Sequence, residues 1–259
     1  MTKPTHSELL EVALAAAKSA REVILSYYNG HFDIEIKADQ TPVTVADRAA
    51  ERVIRETLEK AFPDHGIFGE EYGSENKSTE YLWLVDPIDG TKSFVKRYGM
   101  FSTQIALMHE GKLVLGVSSA PAMNELVWAT RGDGAFDAGG QLHVSQISNI
   151  EHASISTGNI QSLAASPQWP ALGRIMAKTN RTRGYGDYYH YHRLAAGQLD
   201  AVIESDVNIL DIAALCVIVT EAGGVFTDLN GQPPDLETRS VIAATPALHK
   251  QLSNELNQT

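Results

Sequence analysis

The sequence has almost no cysteine. Cys216 is the single one among 259 residues, so no internal disulfide bond can form and a disulfide-stapled extracellular fold is excluded. We therefore expect a protein of the reducing cytoplasm. Because Cys216 lies in the apolar run 213–219, a buried structural thiol is expected there rather than a nucleophile.

Positive charge is also scarce. The chain carries 21 lysines and arginines against 32 aspartates and glutamates, which gives a formal net charge of −11. This charge argues against nucleic acid as a partner, because a phosphate backbone requires a basic surface. It would also repel a phosphorylated substrate, unless bound divalent metal ions reverse the local sign of the charge.

Long hydrophobic runs are missing as well. The longest apolar stretches, such as 12–17 and 212–219, are well short of the roughly 20 residues that span a bilayer. The N-terminus lacks the charged-then-apolar order of a secretory signal, so we expect no membrane association. The length of 259 residues, 43% of them hydrophobic, indicates one large globular domain or two tightly joined halves.

Two segments near the N-terminus have helical periodicity. Apolar residues recur at helical spacing over residues 7–28 and 44–61. A threonine precedes each segment, Thr5 and Thr44, and an acid follows three residues later, which is the pattern of a capping box. Asp47 is the acid of the second box, and capping could be its whole role.

From residue 81 the periodicity changes to that of strands. Residues 81–85 are a short apolar run typical of a buried strand. Strand-like runs follow at 102–109, 112–120 and 125–130, and the short turns between them predict an antiparallel meander.

The second half of the chain alternates helical and strand-like runs. These are helices at 187–197 and 211–222, short strands at 201–204, 225–228 and 240–244, and a terminal helix from Pro246. Helices and antiparallel strands in blocks predict a layered α+β architecture. A boundary near 140–150 divides the chain into halves at 1–145 and 146–259.

The segment Asp86-Pro87-Ile88-Asp89-Gly90-Thr91 directly follows the apolar strand 81–85. Gly90 permits a sharp turn, and Thr91 then opens a short segment that could start a helix. Paired carboxylates suit hard divalent cations, and the free N–H groups of a helix N-terminus suit phosphate. The motif thus predicts a site where metal ions bridge protein and phosphate. A plain surface turn is the alternative, because Asp, Pro and Gly are all turn residues.

Two further acids are candidates for the same site. Glu70 belongs to the sequence Gly69-Glu70-Glu71 upstream of the strand, and Asp211 begins an otherwise apolar helix. Each also has a simpler interpretation. Glu70 could be a solvated surface residue, and Asp211 could only complement the helix dipole.

These residues, in this order, resemble the inositol monophosphatase family of metal-dependent phosphatases. The resemblance covers nearly the whole chain. It rests on four segments: Asp39-x-Thr41-Pro42-Val43-Thr44-x-Ala46-Asp47, Gly69-Glu70-Glu71, Trp83-x-Val85-Asp86-Pro87-Ile88-Asp89-Gly90-Thr91, and Asp211-Ile212-Ala213-Ala214 leading to Glu221-Ala222-Gly223-Gly224. One departure is Leu210, where the family commonly has tryptophan, and it affects the packing of the site wall.

The resemblance implies a homodimer with an α/β/α/β/α layered sandwich of largely antiparallel sheets. It also implies two or three Mg²⁺ ions, water attacking the phosphorus directly, and no phosphoenzyme. The metal ligands would be Glu70, Asp86, Asp89, Asp211 and the backbone carbonyl of Ile88. Asp89, Gly90, Thr91 and Asp211 would contact the substrate, with Gly90 and Thr91 holding its phosphate. Glu70, Thr91 and Asp47 would orient and deprotonate the attacking water.

The substrate is expected to be a small phosphate ester. The family hydrolyses inositol phosphates, histidinol phosphate, fructose bisphosphate and phosphorylated nucleotides, and its specificity segment should lie within residues 181–211. The pattern Gly-Asp-x-x-x-Tyr, with Asp187 and Tyr191, resembles the histidinol-phosphatase branch, which serves histidine biosynthesis. Inositol phosphate is the main alternative.

The chemistry of histidinol phosphate suits this segment. The molecule carries an ammonium and an imidazole, for which Asp187 and Glu204 would supply acids, while tyrosines could flank the ring. Arg183 would be the cation that contacts phosphate or organises the site. The tyrosines could instead only pack the helix against the sheet.

Two other classes of protein are disfavoured. A regulatory phosphate-binding protein would lack a metal ligand or a water-activating residue, and this sequence has them all. A structural scaffold would need no acidic cluster. A zinc site is not indicated, because His190 and His192 are two residues apart and no Cys/His ligand set is present.

Overall fold

The structure is a computed structural model that describes residues 3–30, 34–36, 42–75 and 80–257. Asp39 and Thr41 of the first family-like segment lie outside the described residues. The helices are α1 (His6–Tyr28), α2 (Val45–Ala61), α3 (Thr91–Val95), α4 (Ile160–Ala165), α5 (Trp169–Lys178), α6 (Asp187–Ala195), α7 (Ile209–Glu221) and α8 (Pro246–Leu256). Within this described part, no helix combines the length and hydropathy that crossing a membrane requires.

In the part of the chain that the structure describes, the strands form three sheets. They are β1 (Ile34–Ile36), β2 (Pro42–Thr44), β3 (Gly66–Gly69), β4 (Gly73–Glu75), β5 (Tyr81–Asp89), β6 (Ser102–His109), β7 (Lys112–Ala120), β8 (Glu125–Thr130), β9 (Gly134–Asp137), β10 (Gly140–Leu142), β11 (Ser154–Thr157), β12 (Arg181–Arg183), β13 (Ala201–Ser205), β14 (Val225–Thr227) and β15 (Ser240–Ala244). The first sheet has eight strands in the order β10-β9-β8-β7-β6-β5-β3-β4, and the second has five in the order β12-β11-β13-β15-β14. β1 and β2 form a separate pair.

The predicted meander is confirmed for its four runs, which correspond to β5–β8, and the structure extends it by β9 and β10, which were not predicted. Strands β5 to β10 pair antiparallel with their neighbours in sequence, and β3 alone joins β5 in parallel within this sheet. In the second sheet β11 pairs in parallel with β12 and β13, while β15 pairs antiparallel with β13 and β14.

Helices and sheets alternate in five layers, which confirms the predicted α/β/α/β/α sandwich. Side-chain alternation along β5 illustrates how: Trp83 and Val85 pack with α1 and α2, whereas Leu84 packs with α6 and α7. Helices α6 and α7 share their core with the second sheet through residues such as Val202 and Ala243. Helices α4, α5 and α8 cover the far face of that sheet.

Helix α7 is apolar on nearly all sides because it lies between the two sheets. It approaches β7 so closely that a Cβ on Gly116 would lie 2.3 Å from the carbonyl oxygen of Ala214. Only glycine fits at this position without displacing the helix. The contact fixes the N-terminal end of α7, and therefore Asp211, above the first sheet.

Most predicted elements agree with the structure to within a few residues. Both predicted capping boxes are present, Thr5 with Glu8 and Thr44 with Asp47. The region 150–183 was not interpreted from the sequence, and it contains β11, α4, α5 and β12. The division into halves at residue 145 stays a prediction.

Candidate active site

A bulge in β5 brings Asp86 and Asp89 to the same side of the sheet. Residues three apart in a regular strand point to opposite faces. Asp86 pairs with Gln104 and Asp89 with Ser102, so β5 has one residue more than β6 between these pairs. Pro87 lies in the bulge, where its missing N–H removes no ladder hydrogen bond. For this reason the strand continues to Asp89 instead of ending at residue 85 as expected.

Local hydrogen bonds fix the bulge and the turn after it. The N–H of Ile88 donates to Oδ1 of Asp86 at 3.0 Å, and the hydroxyl of Thr103 donates to the carbonyl of Pro87 at 2.8 Å. Gly90 has φ of 86°, and a Cβ there would lie 2.8 Å from the carbonyl oxygen of Met100. Glycine is therefore required where the chain turns from β5 into α3.

Asp211 reaches the same place from α7. Its carboxylate closes a capping box with Asn208, accepting from the Asn208 backbone N–H at 2.9 Å and from its side-chain amide at 2.6 Å. Asp86, Asp89 and Asp211 each present a carboxylate oxygen, and these oxygens lie within 4.8 Å of one another. Two motifs that are more than a hundred residues apart thus form one acidic cluster.

Asp47 and Thr91 also meet, as the resemblance implied. Asp47 is buried and uses Oδ2 to accept from the backbone N–H and hydroxyl of Thr44. Its other oxygen, Oδ1, lies 3.3 Å from the hydroxyl of Thr91, and that hydroxyl is 3.1 Å from the carbonyl oxygen of Ile88. The cap of α2 therefore aims one carboxylate oxygen at the start of α3.

Glu70 lies at the end of β3, where its N–H donates to the carbonyl of Val85 at 3.1 Å. The turn that follows is held by Glu51, which is completely buried on α2. The carboxylate of Glu51 accepts from the N–H of Glu71 at 2.6 Å and of Tyr72 at 3.3 Å. Sequence reasoning missed Glu51, although an acid one turn after Asp47 on the same helix was the available signal.

Arg55 completes this clamp. Its Nε donates to Glu51 at 2.8 Å and its Nη2 to the carbonyl of Gly73 at 2.6 Å. The Glu51–Arg55 pair thus holds both ends of the turn that carries Glu70. The fit is tight, because a Cβ on Gly69 would lie 2.0 Å from Oε1 of Glu51.

We expect Glu51→Gln to reduce the free energy of unfolding by about 3 to 5 kcal/mol, because it leaves the buried Arg55 charge unpaired. Urea denaturation of the metal-free protein measures this change. The matched control is Glu56→Gln on the exposed side of the same helix, where we expect a change below about 0.5 kcal/mol. Equal small losses in both variants would show that the clamp does not support the turn.

Burial and mutual repulsion raise the pKa values of the clustered acids. Desolvation is the largest cause for Asp86, whose pKa is well above its usual range, followed by the charges of Glu70, Asp89 and Asp211. Desolvation and the neighbouring Asp187 and Asp211 likewise raise the pKa of Asp89. The pKa of Asp211 is raised to about 7, again mainly by burial.

Such a cluster is unfavourable without cations and fits divalent ones. All of its donors are carboxylate oxygens, the ligands preferred by Mg²⁺ and Mn²⁺ rather than by soft metals. A second acidic group, Glu80, His109 and Glu110, lies closer to the surface, and Glu80 pairs there with Lys3 at 2.9 Å.

The carboxylate cluster opens into a cleft of about 580 Å³. The predicted residues Glu70, Asp86, Ile88, Asp89, Gly90, Thr91, Asp187 and Asp211 all line it. Lys92 and Arg239 contribute the basic side chains among its described lining residues. Asn159, Asp206 and Arg239 were not identified from the sequence, because they come from loops that only the fold brings together.

Asp187 and Glu204, the two acids predicted to set specificity, lie at different depths: Asp187 lines the cleft and Glu204 is buried. Asp187 lies on the cleft wall. Desolvation, followed by the charge of Glu204, raises its pKa to about 6, although His190 and Lys92 partly oppose this shift. Glu204 is 3% exposed and lies beneath this wall, where it accepts from Tyr191 at 2.7 Å and is 3.1 Å from Nε2 of His190. A direct contact of Glu204 with substrate stays a prediction.

Arg183 and the tyrosines of the predicted specificity segment 181–211 are not among the described residues that line the cleft. Arg183 is exposed at the edge strand β12 and donates to the carbonyl of Thr182. Tyr188 and Tyr191 are almost completely buried in the core, so packing is their structural role. The helical spacing of Tyr188 and Tyr191, three residues apart on one face of α6, was the signal for this second interpretation.

Comparisons with known proteins identify the family and its fold. The profile of the "Inositol monophosphatase family" matches residues 5–259. A "Histidinol-phosphatase" of Mycobacterium tuberculosis is 38% identical over 98% of this chain and 99% of its own. A "Fructose-1,6-bisphosphatase/inositol-1-monophosphatase" of Thermotoga maritima is 35% identical over 83% of this chain and 82% of its own. The crystal structure of extragenic suppressor protein suhB from Bartonella henselae superimposes with a TM-score of 0.88 at 30% identity, covering 96% of this chain and 98% of that one.

Proposed function

The chain belongs to the inositol monophosphatase family and is a phosphoric monoester hydrolase, and on this premise we propose that it hydrolyses L-histidinol phosphate with Mg²⁺. The products are L-histidinol and phosphate, which gives the enzyme a role in histidine biosynthesis. The observation that carries the metal part of the proposal is the convergence of Asp86, Asp89 and Asp211 in one cleft. We further propose a cytoplasmic homodimer, in agreement with the family resemblance.

Glu70, Asp86, Asp89, Asp211 and the carbonyl of Ile88 would hold two or three Mg²⁺ ions. When bound, the ions supply Lewis acidity that lowers the pKa of a water and neutralises phosphate charge. The carboxylates would keep the ions at the junction of β5, α3 and α7. The N-terminal turn of α3 at Gly90 and Thr91 would receive the phosphate oxygens.

Thr91 and Asp47 would handle the proton of the attacking water. The Thr91 hydroxyl lies within reach of Oδ1 of Asp47 and of the Ile88 carbonyl. With the Ile88 carbonyl turned to a metal ion, the hydroxyl would donate to Asp47, and an oxygen lone pair of Thr91 would accept the proton of the water. Oδ2 of Asp47 is already occupied by Thr44, so the carboxylate cannot rotate away. Glu70 would orient the water from the end of β3. The proton thus leaves the water through Thr91 to Asp47 as the phosphorus–oxygen bond forms.

Asp187 supports histidinol phosphate over a neutral polyol. It places an additional, largely desolvated acid on the cleft wall beyond the metal cluster. An ammonium or imidazolium group would relieve this unfavourable charge, whereas the hydroxyl groups of inositol would not. The relative named histidinol-phosphatase adds to this support, while the relative named for fructose bisphosphate and inositol phosphate keeps those esters as alternatives.

A phosphate-release assay tests the proposed function. We expect kcat/KM for histidinol phosphate to exceed the values for inositol 1-phosphate and adenosine 3′,5′-bisphosphate by at least about tenfold, and activity to disappear in excess chelator. Readdition of Mg²⁺ should restore it. Full turnover in chelator would contradict the metal proposal, and a preference for either alternative ester would contradict the substrate proposal.

A further inference from the structure

A line of buried polar side chains runs away from the acidic cluster beneath the cleft. Ser102 on β6 donates to Oδ2 of Asp89 at 3.2 Å. The amide Nε2 of Gln104 donates to Ser102 at 2.7 Å and to Ser118 on β7 at 3.0 Å. Strand register places these groups together, since Gln104 pairs with Ser118 and Ser102 pairs with Asp89.

The line continues through α6. Nε2 of His192 lies 2.8 Å from the hydroxyl of Ser118, and its Nδ1 lies 3.1 Å from Oε2 of Glu125. Arg193 donates to the same Glu125 oxygen at 2.6 Å. The side chain of His192 is completely buried, whereas Glu125 and Arg193 are partly exposed. The polar line therefore begins at a surface ion pair and ends at a proposed metal ligand.

The hydrogen positions along this line are determined by its two ends. Asp89 and Glu125 are carboxylates and only accept hydrogen bonds. A serine hydroxyl and a neutral imidazole each donate one hydrogen bond and accept another. A line of such groups between two acceptors needs one group that donates twice. The NH₂ of Gln104 is that group.

It follows that every hydroxyl points outward from Gln104. Ser102 donates to Asp89, Ser118 donates to Nε2 of His192, and Nδ1–H of His192 donates to Glu125. The arrangement has a cost, because Oε1 of Gln104 is buried and has no hydrogen-bond partner among the residues that the structure describes. A buried unsatisfied acceptor costs about 1 to 3 kcal/mol. Rotating the amide would satisfy Oε1, but Ser102 would then donate to Gln104 and Asp89 would lose its donor.

We propose that Ser102, Gln104, Ser118 and His192 form a positioning relay that holds Oδ2 of Asp89 and thereby directs its other oxygen to the metal. This rests on the proposed function, in which Asp89 is a metal ligand. The relay residues touch neither substrate nor metal. They act by keeping the Gln104 amide in the one orientation that leaves the Ser102 hydrogen available to Asp89.

The relay predicts an effect on metal affinity from a residue remote from the metal. Ser118→Ala removes one acceptor of the Gln104 amide and so permits the amide to rotate. Ser102→Ala should weaken binding of Mn²⁺ about 10-fold to 100-fold, as expected for a direct hydrogen-bond partner of a ligand. Ser118→Ala should weaken it by a smaller factor, at least about threefold. Ser118→Thr keeps the hydroxyl and should restore the affinity.

Ser119→Ala is the matched control. Ser119 is also a buried serine on β7, but successive side chains of a strand point to opposite faces. Mn²⁺ alone is titrated calorimetrically into metal-free variants of the 259-residue chain, and their thermal midpoints are measured in parallel. We expect a higher Kd for Mn²⁺ in Ser118→Ala than in Ser119→Ala, although the thermal midpoints of the two variants should be similar. Gln104→Met tests the centre of the relay in the same way.

The possible results distinguish failure of the proposed relay from failure of the proposed metal site. Equal Kd values for Ser118→Ala, Ser119→Ala and the unchanged protein would overturn the relay if Asp89→Asn still abolished Mn²⁺ binding. Unchanged Mn²⁺ binding in Asp89→Asn would overturn the proposed ligand and the relay with it. A loss in Ser118→Ala that Ser118→Thr does not restore would also contradict the relay, because the hydroxyl would then not be the cause.

Discussion

Replacing Asp86 by asparagine should lower kcat/KM for phosphate release by about a thousandfold or more while the fold survives. Asparagine keeps the shape and the acceptor oxygen that receives the Ile88 N–H. The substitution removes the negative charge of a side chain that is 2% exposed and surrounded by other acids. The metal-free variant should therefore be at least as stable as the unchanged protein, because one source of repulsion is gone.

Thermal unfolding with and without Mg²⁺ checks this prediction beside the activity assay. Ligand binding to the folded state raises the thermal midpoint, so Mg²⁺ should stabilise the unchanged protein and have little effect on Asp86→Asn. Near-normal turnover in the variant would remove Asp86 from the site. A strongly lowered midpoint without metal would mean that Asp86 supports the fold instead.

Asp187→Asn should lower kcat/KM for histidinol phosphate by about a hundredfold, because a largely desolvated charge pair with the substrate ammonium is lost. The substitution is mild for the backbone. Asp187 has φ of 49°, and asparagine tolerates this left-handed conformation as well as aspartate does. Steady-state kinetics on histidinol phosphate and on glycerol 2-phosphate measures the effect.

Glycerol 2-phosphate is the control substrate for the Asp187→Asn variant, because it has no positive group and would use the same metal centre. Its turnover should change by less than about threefold in Asp187→Asn. Equal losses on both substrates would show that Asp187 supports the metal ions or the fold. The substrate proposal would then lose its main physical support.

Short-range signals in the sequence predicted most helices and strands and the layered α+β class, whereas the five-layer sandwich and the grouping of Asp211 with Asp86 and Asp89 followed from the family resemblance. Capping boxes, apolar periodicity and the turn at Gly90 each act over a few residues, and the structure contains all of them. Asp47 and Asp211 each close a capping box at the start of a helix, so the residues alone left capping as a sufficient role for them, and only the fold shows that both also lie at the site.

The bulge and the cleft walls depend on longer-range packing. The position of Pro87 within β5 is decided by pairing with β6, and the pattern around residue 85 does not reveal that pairing. Glu204 resembles a strand-end acid in the sequence, yet Tyr191 and His190 on α6 bury it. Glu51, Gln104 and His192 make their buried polar contacts only when separate elements meet around them.

Crystals of the protein soaked in Mn²⁺ test the central claim most directly, because anomalous scattering locates the ion without reference to activity. Mn²⁺ accepts the same oxygen ligands as Mg²⁺. We predict an anomalous peak within about 2.5 Å of carboxylate oxygens of Asp86, Asp89 and Asp211. A peak confined to Glu80, His109 and Glu110, or no peak at the three aspartates at saturating Mn²⁺, would contradict the account.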